Sequence, residues 1–175
     1  MNVLTGNKVY LRALEAEDID FLFNVENNTN FWPVSNTQYP FSKFLLKKYL
    51  DNAHQDIYES KQLRLVICKV ETEVPVGLID LFNFNPQHQR AGIGIVITEE
   101  HQHKGFARDA LAILKKYCFN QLNLHQIYAS VTEDNYRSIQ LFKNHGFTQT
   151  GIRREWIFNN EQFKDELFFQ LIKTE

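Results

Sequence analysis

The stretch spanning residues 95–119 narrows the possible folds most. An apolar run, Ile95-Val96-Ile97, gives way to a polar turn, and from Gly105 onward apolar residues recur at helical spacing. Ala107, Ala110, Leu111, Leu114, Tyr117 and Cys118 share one face, with Arg108, Asp109, Lys115 and Lys116 largely outside it. A strand, a short turn and an amphipathic helix therefore follow one another here.

The flanking segments extend this pattern. Residues 8–14 read as a strand, 15–26 as a helix with acids at its start, 27–40 as a polar loop and 42–58 as a second helix. Strands follow over 63–70, 76–82 and 91–97, with residues 83–90 as the turn between the last two. Residues 126–132 alternate as a strand. Asn135 can cap a short helix running to Asn144, and Gly146 suits its left-handed exit. A strand begins at Phe147, and residues 154–158 and 163–172 form a last hairpin. The order β-α-α-β-β-β-α-β-α-β-β predicts an α+β or mixed α/β sheet, not a regular βαβ repeat.

A length of 175 residues fits one domain, 1–175, which buries roughly 70% of its unfolded surface. With 43% apolar residues and 15 Phe there is ample material for that core. The net charge of -2 advertises no nucleic-acid or anionic-membrane partner. The longest apolar stretches, such as 92–97, are too short to span a bilayer. The start, Met1-Asn2-Val3-Leu4-Thr5-Gly6, has no basic and apolar regions of a signal peptide, so a cytoplasmic setting is expected. The assembly expected is a monomer or homodimer. Cys68 and Cys118 lie in apolar periodic segments and read as buried reduced thiols, in preference to a disulfide or a nucleophile.

The chemistry concentrates in Gln102-His103-Lys104-Gly105-Phe106-Ala107-Arg108. A helix N-terminus offers unpaired N–H groups and partial positive charge, which suits a diphosphate. Gly105 lets anion oxygens approach the backbone, small Ala107 allows close contact, and Lys104 or Arg108 adds charge. The same residues also describe an ordinary strand-to-helix turn containing a glycine. Other phosphate motifs fit worse: no Gly-Lys-Ser/Thr ending is present, and Gly92-Ile93-Gly94 lies inside a strand.

Residues 102–107 resemble the Gln/Arg-x-x-Gly-x-Gly/Ala signature of the GNAT acetyltransferases. Residues 135–147 resemble that family's Asn-x-x-Ser/Ala-(x)3-Tyr-(x)3-Gly-Phe segment. Leu11-Arg12-Ala13-Leu14 with Asp18 is similar to the opening of the branch that holds ribosomal-protein N-terminal and spermidine acetyltransferases. The likeness spans almost the whole chain. It implies a central, mostly antiparallel sheet flanked by helices and splayed between strands 91–97 and 126–132, with acetyl-CoA as co-substrate. The backbone of Ile95, Val96 and Ile97 would pair with pantetheine as a missing strand does, and an N–H near Ile97 would hold the oxyanion. The turn from Gln102 through His103, Lys104, Gly105, Phe106 and Ala107 to Arg108 would hold the pyrophosphate. Asn135, Ser138, Phe142 and Lys143 would lie along the coenzyme, although capping alone also explains Asn135 and Ser138. Phe142 departs from the family pattern. Tyrosine is common there as the acid for the departing thiolate, and phenylalanine has no proton to give.

The resemblance implies a primary amine as the acceptor. A lysine-like amine, with pKa ~10.4, needs a base or a water chain before it attacks. Asp80, the one acid in strand 76–82, is the candidate, unless it is merely solvated on the outer face. Glu133 is weaker and better explained by the helix start. His101 and His103 lack a third ligand, so no metal is expected. Acids are scarce over residues 27–58, and Ser35-Asn36-Thr37-Gln38, Lys43 and Lys47-Lys48 stand where spermidine enzymes are acid-rich. The expectation is therefore a peptide N-terminus or compact amine, with a diamine or polyamine as the alternative. A non-catalytic acetyl-CoA-binding module is a rival of another class.

Overall fold

A computed structural model describes residues 4–174, so Met1 to Val3 of the sequence start, and Glu175, lie outside it. Seven strands form one sheet in the order β1-β2-β3-β4-β5-β7-β6. They are β1 (Val9–Ala13), β2 (Leu63–Lys69), β3 (Pro75–Asn85), β4 (Arg90–Ile97), β5 (Gln126–Thr132), β6 (Thr148–Asn159) and β7 (Gln162–Ile172). The helices are α1 (Ile19–Glu26), α2 (Trp32–Ser35), α3 (Lys43–Asp51), α4 (Ile57–Ser60), α5 (Phe106–Asn120) and α6 (Tyr136–Asn144). Every neighbouring strand pair is antiparallel except β4 and β5.

Strand alternation builds two cores. Leu65, Ile67, Ile79 and Leu81 pack with Ala110, Leu111, Leu114 and Phe142, from α5 and α6, on one face. Val66, Cys68 and Leu78 pack with Leu22 and Val25 of α1 and Leu46 of α3 on the other. Both cysteines are free and buried, and burial pushes the Cys118 thiol up to about 12. Arg12 forks onto both oxygens of Asp18 at 2.7 and 2.9 Å, and Asp18 also accepts the Glu15 N–H at 2.8 Å. That pairing fixes where β1 hands over to α1.

β4 and β5 stay paired over three positions only, Arg90↔Gln126, Ala91↔Ile127 and Gly92↔Tyr128, and then diverge. At the fork the Phe82 ring meets Tyr128 edge-on at 6.1 Å, and Tyr128 stacks on Phe168 at 5.3 Å. Gly92 makes room for this row, since a Cβ there would lie 2.3 Å from the Phe82 ring.

Several expected boundaries move. The turn 83–90 shortens because β3 runs on to Asn85, and residues 148–159 form one bulged strand instead of two pieces. The loop 27–40 contains the single helical turn α2. The helix expected over 42–58 breaks after Asp51. Asp56 restarts the chain as α4 by capping Tyr58 and Glu59 at 2.8 and 3.0 Å, a local bond that competes with helix continuation.

The start of α5 is fastened to β1. Asp109 Oδ2 accepts the N–H of Lys8 at 2.7 Å and of Val9 at 3.0 Å, and Lys8 Nζ donates to the Lys104 carbonyl at 2.8 Å. Gly105 caps the helix with φ +82, and an added Cβ would meet Lys8 Nζ at 3.1 Å. Gly146 closes α6 with φ +88.

Two stability effects follow from these contacts. Gly105→Ala forces a side chain into the left-handed region, so unfolding stability falls by about 1–2 kcal/mol and Tm by roughly 2–8 °C, read by calorimetry. For Asp18, burial opposes ionisation, but the Arg12 and Glu15 bonds outweigh it and hold the carboxyl below its ordinary 3.8. Its contribution is therefore complete above that value and is lost as pH falls through the lower folded-state value. Acid unfolding of Asp18→Asn, followed by circular dichroism, should lack this component.

Candidate functional site

The fork exposes backbone in the middle of the sheet. The Thr98 N–H donates to Val76 O at 2.9 Å, toward β3. By the two-residue alternation of a strand, the N–H groups of Ile97 and Ile95 turn the other way, into the gap beside β5. Gln102 Nε2 closes the Ile97 carbonyl at 3.0 Å, and Gln102 Oε1 accepts from Arg137 on α6. The free edge donors of β4 thus lie between the polar turn and α6.

Two cavities meet at this gap. The first, about 680 Å³, is lined by Ile95, Val96 and Ile97 of β4, by Gln102, His103, Gly105, Phe106, Ala107 and Arg108 at the start of α5, and by the cap Asn135 and Ser138 at the start of α6. It holds the unpaired N–H groups of a helix start beside an unpaired strand edge, which together suit a diphosphate followed by an amide-bearing chain. Acetyl-CoA, the acyl donor, has those parts in that order, so the donor set fits it. Lys104 and Lys143 line neither cavity. Lys104 Nζ instead donates to the Glu100 carbonyl at 2.7 Å, and Lys143 is exposed on α6. The glycine at 105 also has a conformational reason that the sequence did not show, its positive φ.

The second cavity, about 480 Å³, lies across β4 and is lined by Asp80, Phe142, Glu26, Arg64, Glu166 and Arg153, among others. Arg64 grips Asp80 through Nε–Oδ1 at 2.8 Å and Nη2–Oδ2 at 3.0 Å, and reaches Glu26 Oε1 from Nη1 at 2.5 Å. Burial works against the Arg64 charge, but Asp80 and then Glu26 outweigh it, and the guanidinium is held more firmly protonated than usual. Tyr49 covers it, with ring centroid 5.7 Å from Cζ. Arg153 pairs with Glu166 at 2.6 Å. Phe142 is buried, stacked edge-on against Phe147 at 5.0 Å. Glu133 faces away and accepts the Asp165 N–H at 2.9 Å.

Sequence reasoning passed over Glu26, Arg64, Glu166 and Arg137, whose partners are remote in the chain. It also passed over Phe31 and Val34, which line both cavities. Glu99 ties the segment before α2 to the polar turn, accepting Asn30 Nδ2 at 2.6 Å and Asn28 Nδ2 at 3.2 Å. Among the described residues no group of three His, Cys, Asp or Glu could hold a metal, and no helix is long and apolar enough to cross a membrane.

The family model for the acetyltransferase (GNAT) domain matches residues 8–148. A spermidine N(1)-acetyltransferase of Vibrio cholerae is 33% identical over 91% of this chain and 90% of its own length. That of Escherichia coli K12 is 29% identical over 93% and 85%. The crystal structure of the Vibrio cholerae spermidine N-acetyltransferase in complex with CoA and spermine superposes with TM-score 0.86 at 30% identity, covering 94% of this chain and 95% of that one. These relatives are enzymes, so the rival reading as a non-catalytic acetyl-CoA-binding module falls away, and none of them is named for peptide N-termini. With a forked, mostly antiparallel sheet, a glycine-led turn at the fork and a family match over most of its length, the chain belongs to the GNAT acetyltransferases and is an acetyl-CoA-dependent N-acetyltransferase.

Proposed function

We propose that the acceptor is a polyamine or short diamine of the spermidine type, acetylated at a terminal primary amine. The observation that carries this reading is the acid-lined second cavity. Glu26, Asp80 and Glu166 face it against only Arg64 and Arg153, which leaves one negative charge uncompensated. The relatives named for spermidine point the same way. The scarcity of acids over 27–58 favoured a peptide-like amine, but these three carboxylates come from the end of α1, from β3 and from β7, outside that stretch.

In this reading bound acetyl-CoA supplies the acetyl carbon, to which the amine nitrogen bonds as the C–S bond breaks. The first cavity positions the coenzyme. Gly105 to Arg108 hold its diphosphate, Ile95 and Ile97 offer backbone N–H groups along the gap, and the Ile97 N–H faces the developing oxyanion. Glu26 and Asp80 draw the acceptor's other, non-attacking ammonium toward their uncompensated charge. Asp80 has both oxygens on Arg64, so it acts by attraction and leaves the attacking amine's proton to water. The buried free thiols agree with a cytoplasmic setting. A structure of the Vibrio cholerae enzyme is dodecameric, so assembly beyond the expected monomer or homodimer belongs to this reading.

Steady-state kinetics on spermidine, a short diamine and a peptide with a free N-terminus test the proposal. Spermidine or the diamine should exceed the peptide at least about tenfold in kcat/KM; a peptide that is the better substrate overturns it. Glu26→Gln should lower kcat/KM for the polyamine about tenfold, the equivalent of about 1.4 kcal/mol of ion pairing. Acetyl-CoA affinity, read by calorimetry, should stay within twofold.

A further inference from the structure

The carboxylates of the second cavity stand on two sides of the fork. Glu26 and Asp80 lie on the β3 side, held by Arg64. Glu166 lies on the β7 side, opposite Thr132 of β5 and Arg153 of β6. The Glu166 side chain is only 12% exposed and accepts from Arg153 Nη1 at 2.6 Å. The Arg153 guanidinium carbon is 5.4 Å from the centre of the Trp156 ring and 5.6 Å from that of Phe168. A carboxylate beside two aromatic rings suits an organic cation, since ring attraction acts within about 6 Å. An alkylammonium would seek the same three partners, and the chain's own guanidinium already has them.

A bulge in the edge strand β6 builds this arrangement. Between Arg153↔Glu166 and Ile157↔Lys164 the register slips, so that Arg154, Glu155 and Trp156 face the single residue Asp165. Asp165 closes the bulge by accepting the Glu155 N–H at 2.9 Å and Arg154 Nη1 at 2.5 Å, and Glu155 takes φ +49. Such a bulge re-aims side chains, and Trp156 joins Arg153 in the lining of the second cavity. The two arginines of that cavity are not held alike. Arg64 is gripped by two carboxylates, whereas Arg153 pairs with Glu166 alone among the described residues and its side chain is 47% exposed.

We propose that Arg153 is a specificity-determining residue, a built-in cation in the subsite that a third ammonium of the acceptor would occupy, which restricts the enzyme to acceptors with two amines. The inference rests on the polyamine or diamine reading and narrows it. One amine attacks the acetyl carbon, and the other answers the negative charge that Arg64 leaves uncompensated at Glu26 and Asp80. A third ammonium reaches Glu166 and the rings only by displacing Arg153, and a guanidinium that stays repels it. Selectivity of this kind comes from a repulsive element set against the longer competitor.

Steady-state kinetics on the whole enzyme with diaminobutane and spermidine test this. The wild-type kcat/KM should be about tenfold higher for diaminobutane, a comparison that needs no variant; spermidine at or above the diamine overturns the inference. Arg153→Gln should move the ratio of the two about tenfold toward spermidine, and an unmoved ratio overturns it. Removal of a positive charge alone would also favour the more highly charged amine. Trp156→Leu in the Arg153→Gln background therefore decides, because it changes no charge. It should cancel about threefold of the gain, and Glu166→Gln in the same background nearly all of it. A gain that survives Trp156→Leu intact overturns the inference. Calorimetry on the CoA complexes repeats the comparison without turnover, and spermidine should bind Arg153→Gln about tenfold more tightly than wild type. A peptide that outdoes both amines overturns the acceptor reading and this inference with it, whereas spermidine equal to the diamine overturns the inference alone.

Discussion

The site depends on β4 and β5 parting after three paired positions. A parallel pair inside a sheet would normally satisfy both backbones, and here the N–H groups of Ile95 and Ile97 are left facing a gap. A backbone group without a protein partner must be met by water or by a ligand, and packing on both sides holds the gap open. On one side Phe82, Tyr128 and Phe168 stack at the fork, with Gly92 bare so that the row closes. On the other, Gln102 bridges the Ile97 carbonyl to Arg137 and so ties the end of β4 to α6. The open edge is a strand-shaped vacancy, and an amide-bearing ligand arm can complete it.

The same alternation that builds two cores also sorts the chemistry onto two sides of β4. The helix start that suits a diphosphate belongs to the α5 and α6 side, fastened to β1 by Asp109. The carboxylates and Arg64 belong with α1, α3 and the far end of the sheet. The two cavities therefore reach the gap from opposite faces and meet only at the residues that line both. Phe31 and Val34 belong to both walls, and Glu99 holds the chain just before them against the polar turn. A shift in that segment alters both cavities together.

What the sequence showed were features carried by local rules. Strand alternation, the stripe on α5, the Asn135 cap and the left-handed Gly146 are each decided within a few residues, and the resemblance placed the fork between the right strands. The glycine at 105 was legible as a position, but its reason was half hidden, because φ is not written in a sequence. The helix over 42–58 failed because capping by Asp56 outweighed apolar spacing. Arg64 was not legible at all. Its partners Glu26 and Asp80 stand 38 and 16 residues away, and nothing in a strand pattern says which face of which neighbour a charge will meet. Counting acids along one stretch missed a cavity whose acids come from three separate elements.

The distribution of charged groups follows the unequal difficulty of the two proton problems. An alkylammonium with pKa ~10.4 must lose a proton before it attacks, at about 4–5 kcal/mol at pH 7. A thiolate leaving group, with a conjugate acid near pH ~8.5, needs less than half of that to be accommodated as an anion. The protein sets five acidic and basic side chains, Glu26, Arg64, Asp80, Arg153 and Glu166, around the second cavity. Among the residues that line both cavities it sets none, only a hydroxyl, an amide and apolar side chains. A phenylalanine at 142 is consistent with that division. Its buried ring, edge-on against Phe147, shapes the wall of the second cavity.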